Sequence, residues 1–163
     1  LDIAWLLAQG YQVRGAELNK LAVEALFAGL ALTPTICECG ALTRYSGQNI
    51  EIYLGDIFEL NQDILGPVDA VYDRAALIAL PEEMRVNYSQ HLMALSNTAR
   101  QLLITVHYDQ NEQAGPPFSV SGEEVSSHYA SRYTVKPLAS APIEGGLKGK
   151  CAADENVFLL TPR

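Results

Sequence analysis

The stretch VDAVYDRAALIALP, residues 68–81, decides the fold. An apolar run containing Val68, Val71 and Tyr72 leads into the charged pair Asp73 and Arg74, then into more apolar residues and Pro81. This pattern predicts a buried strand that delivers two ions to its carboxyl end. In an open α/β sheet, the crevice outside the carboxyl ends of the strands is the recurrent ligand-binding concavity. The charged pair therefore stands where chemistry is expected.

Upstream, LDIAWLLAQG reads as a helix stopped by Gly10, with Ile3, Trp5, Leu6 and Leu7 on one side. YQVRGAE, residues 11–17, predicts a strand closing on Glu17, after which Asn19 caps a helix carrying Leu21, Ala22, Ala25, Leu26 and Leu30. Residues 31–47 lose their periodicity and read as a long connection, with a small hairpin of 41–45 against 48–54 turned at Ser46 and Gly47. Ile50, Ile52 and Leu54 alternate with Glu51 and Tyr53, which makes the second arm a strand. Gly55 then lets the backbone turn, and Asp56 offers a carboxylate just past the strand end.

Downstream, Pro81 suits the first turn of a helix over 81–96, Glu82 and Glu83 suit its positive end, and Met84, Tyr88, Leu92 and Leu95 mark its buried side. LLITVHY, residues 102–108, reads as a strand buried on both faces, with His107 a satisfied core residue. It opens into a loop that Gly115, Pro116 and Pro117 stiffen and in which Phe118 is an apolar lid. Ser121 and Glu124 have capping-box spacing for a helix to about residue 132, and strands at 133–138 and 156–161 close the chain. Helices and strands alternate up to residue 132. The expectation is one doubly wound α/β domain over residues 1–163, mostly parallel, with an antiparallel C-terminal pair.

Composition bounds the function classes. The chain has 163 residues, 48% hydrophobic and 18% charged, which suits a folded domain with its own core. Eleven basic residues against nineteen acidic ones give a net charge of −8, without a basic stripe, so nucleic acid is not an expected partner. No apolar run reaches the roughly 20 residues of a membrane helix. Cys37, Cys39 and Cys151 make an odd count with no leader-like start, which predicts free thiols and a cytoplasmic location. His91, His107 and His128 do not fall at zinc-finger spacing from these thiols, so no metal is expected.

Glu17, Asp56 and the Asp73–Arg74 pair each follow a predicted strand, and that succession suggests a cofactor site. A carboxylate closing an early strand accepts from both hydroxyls of a ribose, although a plain solvated acid reads equally well from Glu17 alone. The surrounding segments sharpen the choice: GYQVRGAELN (10–19), IEIYLGDIFEL (50–60), YDRAALIALPEEMRVNY (72–88) and LLITVHYDQNEQAGPPFSV (102–120). Together these resemble the thiopurine S-methyltransferase family, particularly its bacterial members.

The resemblance implies a fold of the S-adenosylmethionine-dependent methyltransferase type, with S-adenosylmethionine as cofactor. Glu17 then looks like the ribose-binding acid, and Asp56 and Ile57 like the pair beside the adenine. Arg74 looks like the arginine near the methyl-transfer site, counted with both the catalytic and the cofactor-binding residues. Tyr108, Pro116, Pro117 and Phe118 fall in the family's substrate loop. For Arg74 the competing reading is an ion pair with Asp73 or another acid, for Asp56 a turn-forming bond to its own backbone, and for Pro116, Pro117 and Phe118 a rigid surface loop.

Family members also carry an earlier strand and a V-x-x-P-x-C-G-K loop ahead of the residue matching Asp2. The chain thus resembles an N-terminally truncated member, whose sheet would be left with two unpaired edges: either the sequence is part of a longer protein, or the gap is filled by rearrangement or by a strand from another subunit. The expected function is methyl transfer from S-adenosylmethionine to an aromatic or heterocyclic thiol, or to a selenium or tellurium anion. The alternative is a non-catalytic remnant acting as an oligomerising or interaction module.

Overall fold

In the computed structural model, which describes residues 2–163, α1 (Asp2–Ala8) and β1 (Val13–Glu17) open an N-terminal unit that ends at Gly66, and a second unit spans Pro67–Arg163. Asn19 caps α2 (Lys20–Gly29) as predicted, its side chain accepting from the backbone N–H groups of Leu21 and Ala22. Three strands follow, β2 (Thr35–Cys39), β3 (Leu42–Gly47) and β4 (Ile50–Leu54), and then the single turn α3 (Gln62–Leu65). The sheet order is β1-β4-β3-β2, with β1 parallel to β4 and the other pairs antiparallel.

The period of two sorts this sheet into two faces. Tyr45, Ile50 and Ile52 point toward α2 and form a core with Val23 and Phe27, against which Ile3 and Leu7 pack. On the other face, Arg14 donates to the carbonyl of Leu65 at 2.7 Å and the Tyr53 hydroxyl to that of Ile64 at 3.1 Å, which ties α3 down. Trp5 departs from its predicted place: it is 61% exposed, because α1 is short and turns only its Ile3 and Leu7 side to the core. The β3–β4 turn lies at Gln48 and Asn49 rather than Ser46 and Gly47, with Asn49 supplying the left-handed φ of 61° that the tight turn requires.

The C-terminal unit contains β5 (Ala70–Arg74), α4 (Glu82–Leu95), β6 (Arg100–Tyr108), α5 (Gly122–Tyr129), β7 (Tyr133–Pro142) and β8 (Ala153–Pro162). The order is β5-β6-β8-β7, with β5 parallel to β6 and the remaining pairs antiparallel. The α/β class therefore holds, with the strands in two four-stranded mixed sheets. Among the described residues β1 pairs with β4 alone and β5 with β6 alone.

That edge position corrects the reading of residues 68–74 as a buried strand. Ala70, Tyr72 and Arg74 are exposed, and the acid Asp73 is the buried member. On α4, Pro81 is the cap rather than the first helical residue, and Met84 is 42% exposed while Arg85 takes the buried position beside Tyr88 and Leu92. No helix among the described residues is long and apolar enough to cross a membrane.

Candidate functional site

Glu17 and Asp56 leave the carboxyl ends of two adjacent parallel strands. Glu17 is opposite Leu54 in the β1–β4 register, and the Gly55 N–H donates to the Glu17 carbonyl at 2.9 Å, extending the ladder by one step. Gly55 has a φ of 139°, and a Cβ there would lie 2.5 Å from Cδ2 of Leu42. A side chain is thus excluded on two counts, and the chain turns out of the sheet directly into Asp56.

Each acid uses one oxygen locally. Oε1 of half-buried Glu17 accepts from the Asn19 N–H at 2.8 Å, and Oδ1 of exposed Asp56 accepts from the Phe58 N–H at 3.0 Å as the cap of a 3-10 turn. The turn-forming reading of Asp56 is therefore realised, yet its second oxygen and that of Glu17 remain available to a ligand. Half-buried Ile57 follows at once with an apolar side chain. Paired acceptors for a diol next to an apolar surface for a flat base are what an adenosine group needs, so these residues fit the adenosyl part of S-adenosylmethionine.

In the C-terminal unit, Arg74 and Tyr108 end the parallel strands β5 and β6. Asp73 and Arg74 do not act as a presented ion pair, because the pleat separates them. Asp73 is 3% exposed, with Oδ2 accepting from the Tyr88 hydroxyl at 3.0 Å and Oδ1 from the Leu77 N–H at 3.3 Å. Burial pushes its carboxyl above the usual range, and the hydrogen bonds from Tyr88, Leu77 and Ala76 offset this in part. Burial and then the neighbouring Asp73 charge push the Tyr88 hydroxyl well up, so Tyr88 stays a proton donor. Arg74 is exposed, and Ala75 after it has a left-handed φ of 71°, uncommon for a residue with a side chain. Such strain at a strand end marks a position the surroundings hold in place.

The loop after β6 is fixed by a dense set of bonds. The hydroxyl of buried Tyr108 donates to the Pro117 carbonyl at 2.6 Å, and Ser119 bonds both the N–H and the carbonyl of Tyr108. Gln110 bonds the Tyr108 hydroxyl and the Ser119 N–H. The Phe118 N–H donates to the carbonyl of Ile78 at 2.6 Å, which joins this loop to the one following β5, and the half-buried Phe118 ring sits over Gly115. Lys148, from the β7–β8 connection, donates to the Pro116 carbonyl at 2.8 Å. The structure thus makes Tyr108 the support of the loop, with Pro116, Pro117 and Phe118 the residues it positions.

His107 corrects its predicted place in the core. It is exposed, opposite Asp154 in the β6–β8 register, and with Tyr108, Asp109, Ile143 and Asp154 it lines a cavity of about 570 Å³. Arg74 and the Pro116, Pro117 and Phe118 group are not among the lining residues. The apolar residues flanking His107 hid its outward parity in the sequence. Asp154 had no such signal, since its partner depends on how the C-terminal strands register.

The model of the thiopurine S-methyltransferase (TPMT) family matches residues 1–158. The thiopurine S-methyltransferase of Xanthobacter autotrophicus is 55% identical over 159 residues, covering 98% of this chain and 75% of that protein. That of Teredinibacter turnerae is 48% identical over 161 residues, with coverages of 99% and 75%. Among solved structures, the 1,6-didemethyltoxoflavin-N1-methyltransferase of Burkholderia thailandensis, with bound 1,6-didemethyltoxoflavin and S-adenosylhomocysteine, matches with a TM-score of 0.61 at 17% identity. The match covers 98% of this chain and 66% of that one. The glycopeptide N-methyltransferase MtfA, complexed with S-adenosylmethionine, gives 0.56 at 14% identity, with coverages of 97% and 75%. At these identities the structural likeness establishes the fold, that of S-adenosylmethionine-dependent methyltransferases. The chain spans about three quarters of the length of these curated relatives.

Proposed function

Because the chain belongs to the thiopurine S-methyltransferase family, we propose that it serves transfer of a methyl group from S-adenosylmethionine to an aromatic or heterocyclic thiol, or to a selenium or tellurium anion. The observation that carries this reading is the pair of acids at adjacent parallel strand ends, Glu17 and Asp56, joined by the bond from Gly55 and each with an oxygen to offer. When bound, the cofactor supplies an electrophilic sulfonium methyl carbon. Held by Glu17, Asp56 and Ile57, it would offer that carbon to the lone pair of the acceptor and would leave as S-adenosylhomocysteine. The thiol's proton goes to water.

The chain's own residues bind and orient. Glu17 and Asp56 take hydroxyl and amine donors of the adenosine, and Ile57 offers the base an apolar side. Arg74 remains charged at every relevant pH, so it favours an anionic acceptor, the reactive thiolate, and cannot remove a proton. Pro116, Pro117 and Phe118 would contact the acceptor and owe their placement to Tyr108.

Calorimetry of the 163-residue chain with S-adenosylhomocysteine tests the reading. Binding in the micromolar range, weakened about 10- to 100-fold by Glu17→Gln, is expected from loss of a charge-assisted hydrogen bond worth roughly 1.5–3 kcal/mol. No binding at about millimolar ligand overturns it. A second reading draws on the one-sided edges of β1 and β5 and on Tyr72, 40% exposed on β5: a second copy of the chain adds a strand there. Light scattering across a concentration series separates a dimer from a monomer.

A further inference from the structure

β2 is the outer strand of the N-terminal sheet, and residues two apart on it point to the same side. Cys37 and Cys39 therefore share one face, both half-buried and both free thiols, while Ile36 and Glu38 point to the other. Two residues of extended strand place their Cα atoms about 6.6 Å apart. A disulfide needs Cβ atoms about 3.8 Å apart, so the extended backbone does not allow these thiols to bond to each other. A linear sulfur–metal–sulfur bridge is longer. With bonds of about 2.3 Å it spans about 4.6 Å, which staggered χ1 choices on two same-face cysteines can meet.

Arg44 stands directly across from Cys37 in the β2–β3 register. Glu51 does not monopolise it: Arg14 holds Glu51 at 3.0 Å, against 3.5 Å from Arg44. Nε of Arg44 is buried without a hydrogen-bond partner among the described residues.

We propose that Cys37 and Cys39 form a two-coordinate site for a soft monovalent cation, Cu(I), held as a bis-thiolate whose net negative charge Arg44 balances. Among the described residues no three His, Cys, Asp or Glu side chains converge, so a four-ligand metal such as zinc finds no site, whereas a linear d10 cation needs two thiolates and no more. On binding, two S–H bonds release their protons to solvent and two Cu–S bonds form. The charge of the centre becomes +1 − 2 = −1, and nothing is oxidised or reduced.

The test is anaerobic competition for Cu(I) between the 163-residue chain and bicinchoninate, with ascorbate as reductant. One Cu(I) per chain is expected for the native protein and for Cys151→Ser. Cys37→Ser and Cys39→Ser each lose the site, and Arg44→Gln weakens it about tenfold, as changes beside metal ligands do. Should the serine variants fold poorly, alkylation of the native protein read by peptide mass spectrometry decides. Cu(I) should protect Cys37 and Cys39 and leave the rate at Cys151 unchanged. Equal alkylation of Cys37 and Cys39 with and without Cu(I), or a Cys37→Ser/Cys39→Ser double variant that competes as well as the native chain, overturns the proposal.

Discussion

Removing the Glu124 carboxylate should destabilise the C-terminal unit far more than a surface charge would. Arg85 on α4 is 5% exposed and donates from Nε to Oε1 of Glu124 on α5, itself 23% exposed. The same oxygen lies 3.1 Å from Nε2 of His128, and Nη1 of Arg85 donates to the Leu80 carbonyl at 2.9 Å. Glu124→Ala strands a guanidinium in the interior with one of its bonds gone. Breaking such a pair costs about 3–5 kcal/mol when both ions are fully buried. Here the acid is partly wet and the Leu80 bond survives, so about 2–3 kcal/mol is expected, or roughly 5–10 °C in melting temperature.

Glu124→Gln keeps an oxygen for the Nε donor and should cost about 1–1.5 kcal/mol. The double change Arg85→Met with Glu124→Leu removes both ions and should return to within about 1 kcal/mol of the native protein, since an apolar replacement avoids the desolvation the pair has to overcome. Urea unfolding followed by circular dichroism of the native protein, these three variants and the single changes Arg85→Met and Glu124→Leu gives the values. A cost below about 1 kcal/mol for Glu124→Ala, or a double variant as unstable as the sum of its singles, refutes the argument.

Gly55→Ala should cost about 1–3 kcal/mol, because the new Cβ meets Leu42 at 2.5 Å in a backbone of positive φ, and it should weaken S-adenosylhomocysteine binding by moving Asp56. Unchanged melting and binding would refute it. Asp73→Asn probes pH dependence: the folded carboxyl titrates above its ordinary 3.8, so as pH rises past that value the unfolded chain loses the proton first and native stability falls until the folded group also ionises. The stability gain of the Asn variant over the native protein should therefore grow upward from about pH 4 and then level off; urea midpoints that give a constant gap refute it. Tyr108→Phe deletes the bond to Pro117 and should leave S-adenosylhomocysteine affinity unchanged while raising the KM for the acceptor several-fold, by loosening a loop bond worth about 1 kcal/mol.

What the sequence disclosed follows from how local each signal is. The Asn19 cap and the Ile50–Ile52 alternation are specified within a few residues and fold as read, and the α4 run forms its helix with Arg85 rather than Met84 on the buried side. Edge strand β2 was missed because TICEC has little apolar alternation: it is held by pairing with β3, and Ile36 points outward at 54% exposure. α3 is a single turn fixed by Arg14 and Tyr53 from the sheet, a distant cause with no periodicity of its own. The candidate site residues were legible as the residues following strands. Which of them point outward was not, because parity at a strand end depends on its register with a partner.

That parity explains how one dipeptide divides two duties. At the end of β5, Asp73 turns inward and spends its oxygens on Tyr88 and on Leu77 in the following loop, while Arg74 turns outward. β6 repeats the device in reverse order: His107 faces out, and buried Tyr108 uses its hydroxyl to hold Pro117. The two inward residues thus fix two consecutive loops, and the bond from Phe118 to Ile78 joins those loops to each other. A buried acid, raised by burial, and a buried phenol, committed by its hydrogen bond to Pro117, set the backbone from which the outward residues project. On the proposed function, variants of Asp73 or Tyr108 should therefore disturb acceptor placement without touching the acceptor.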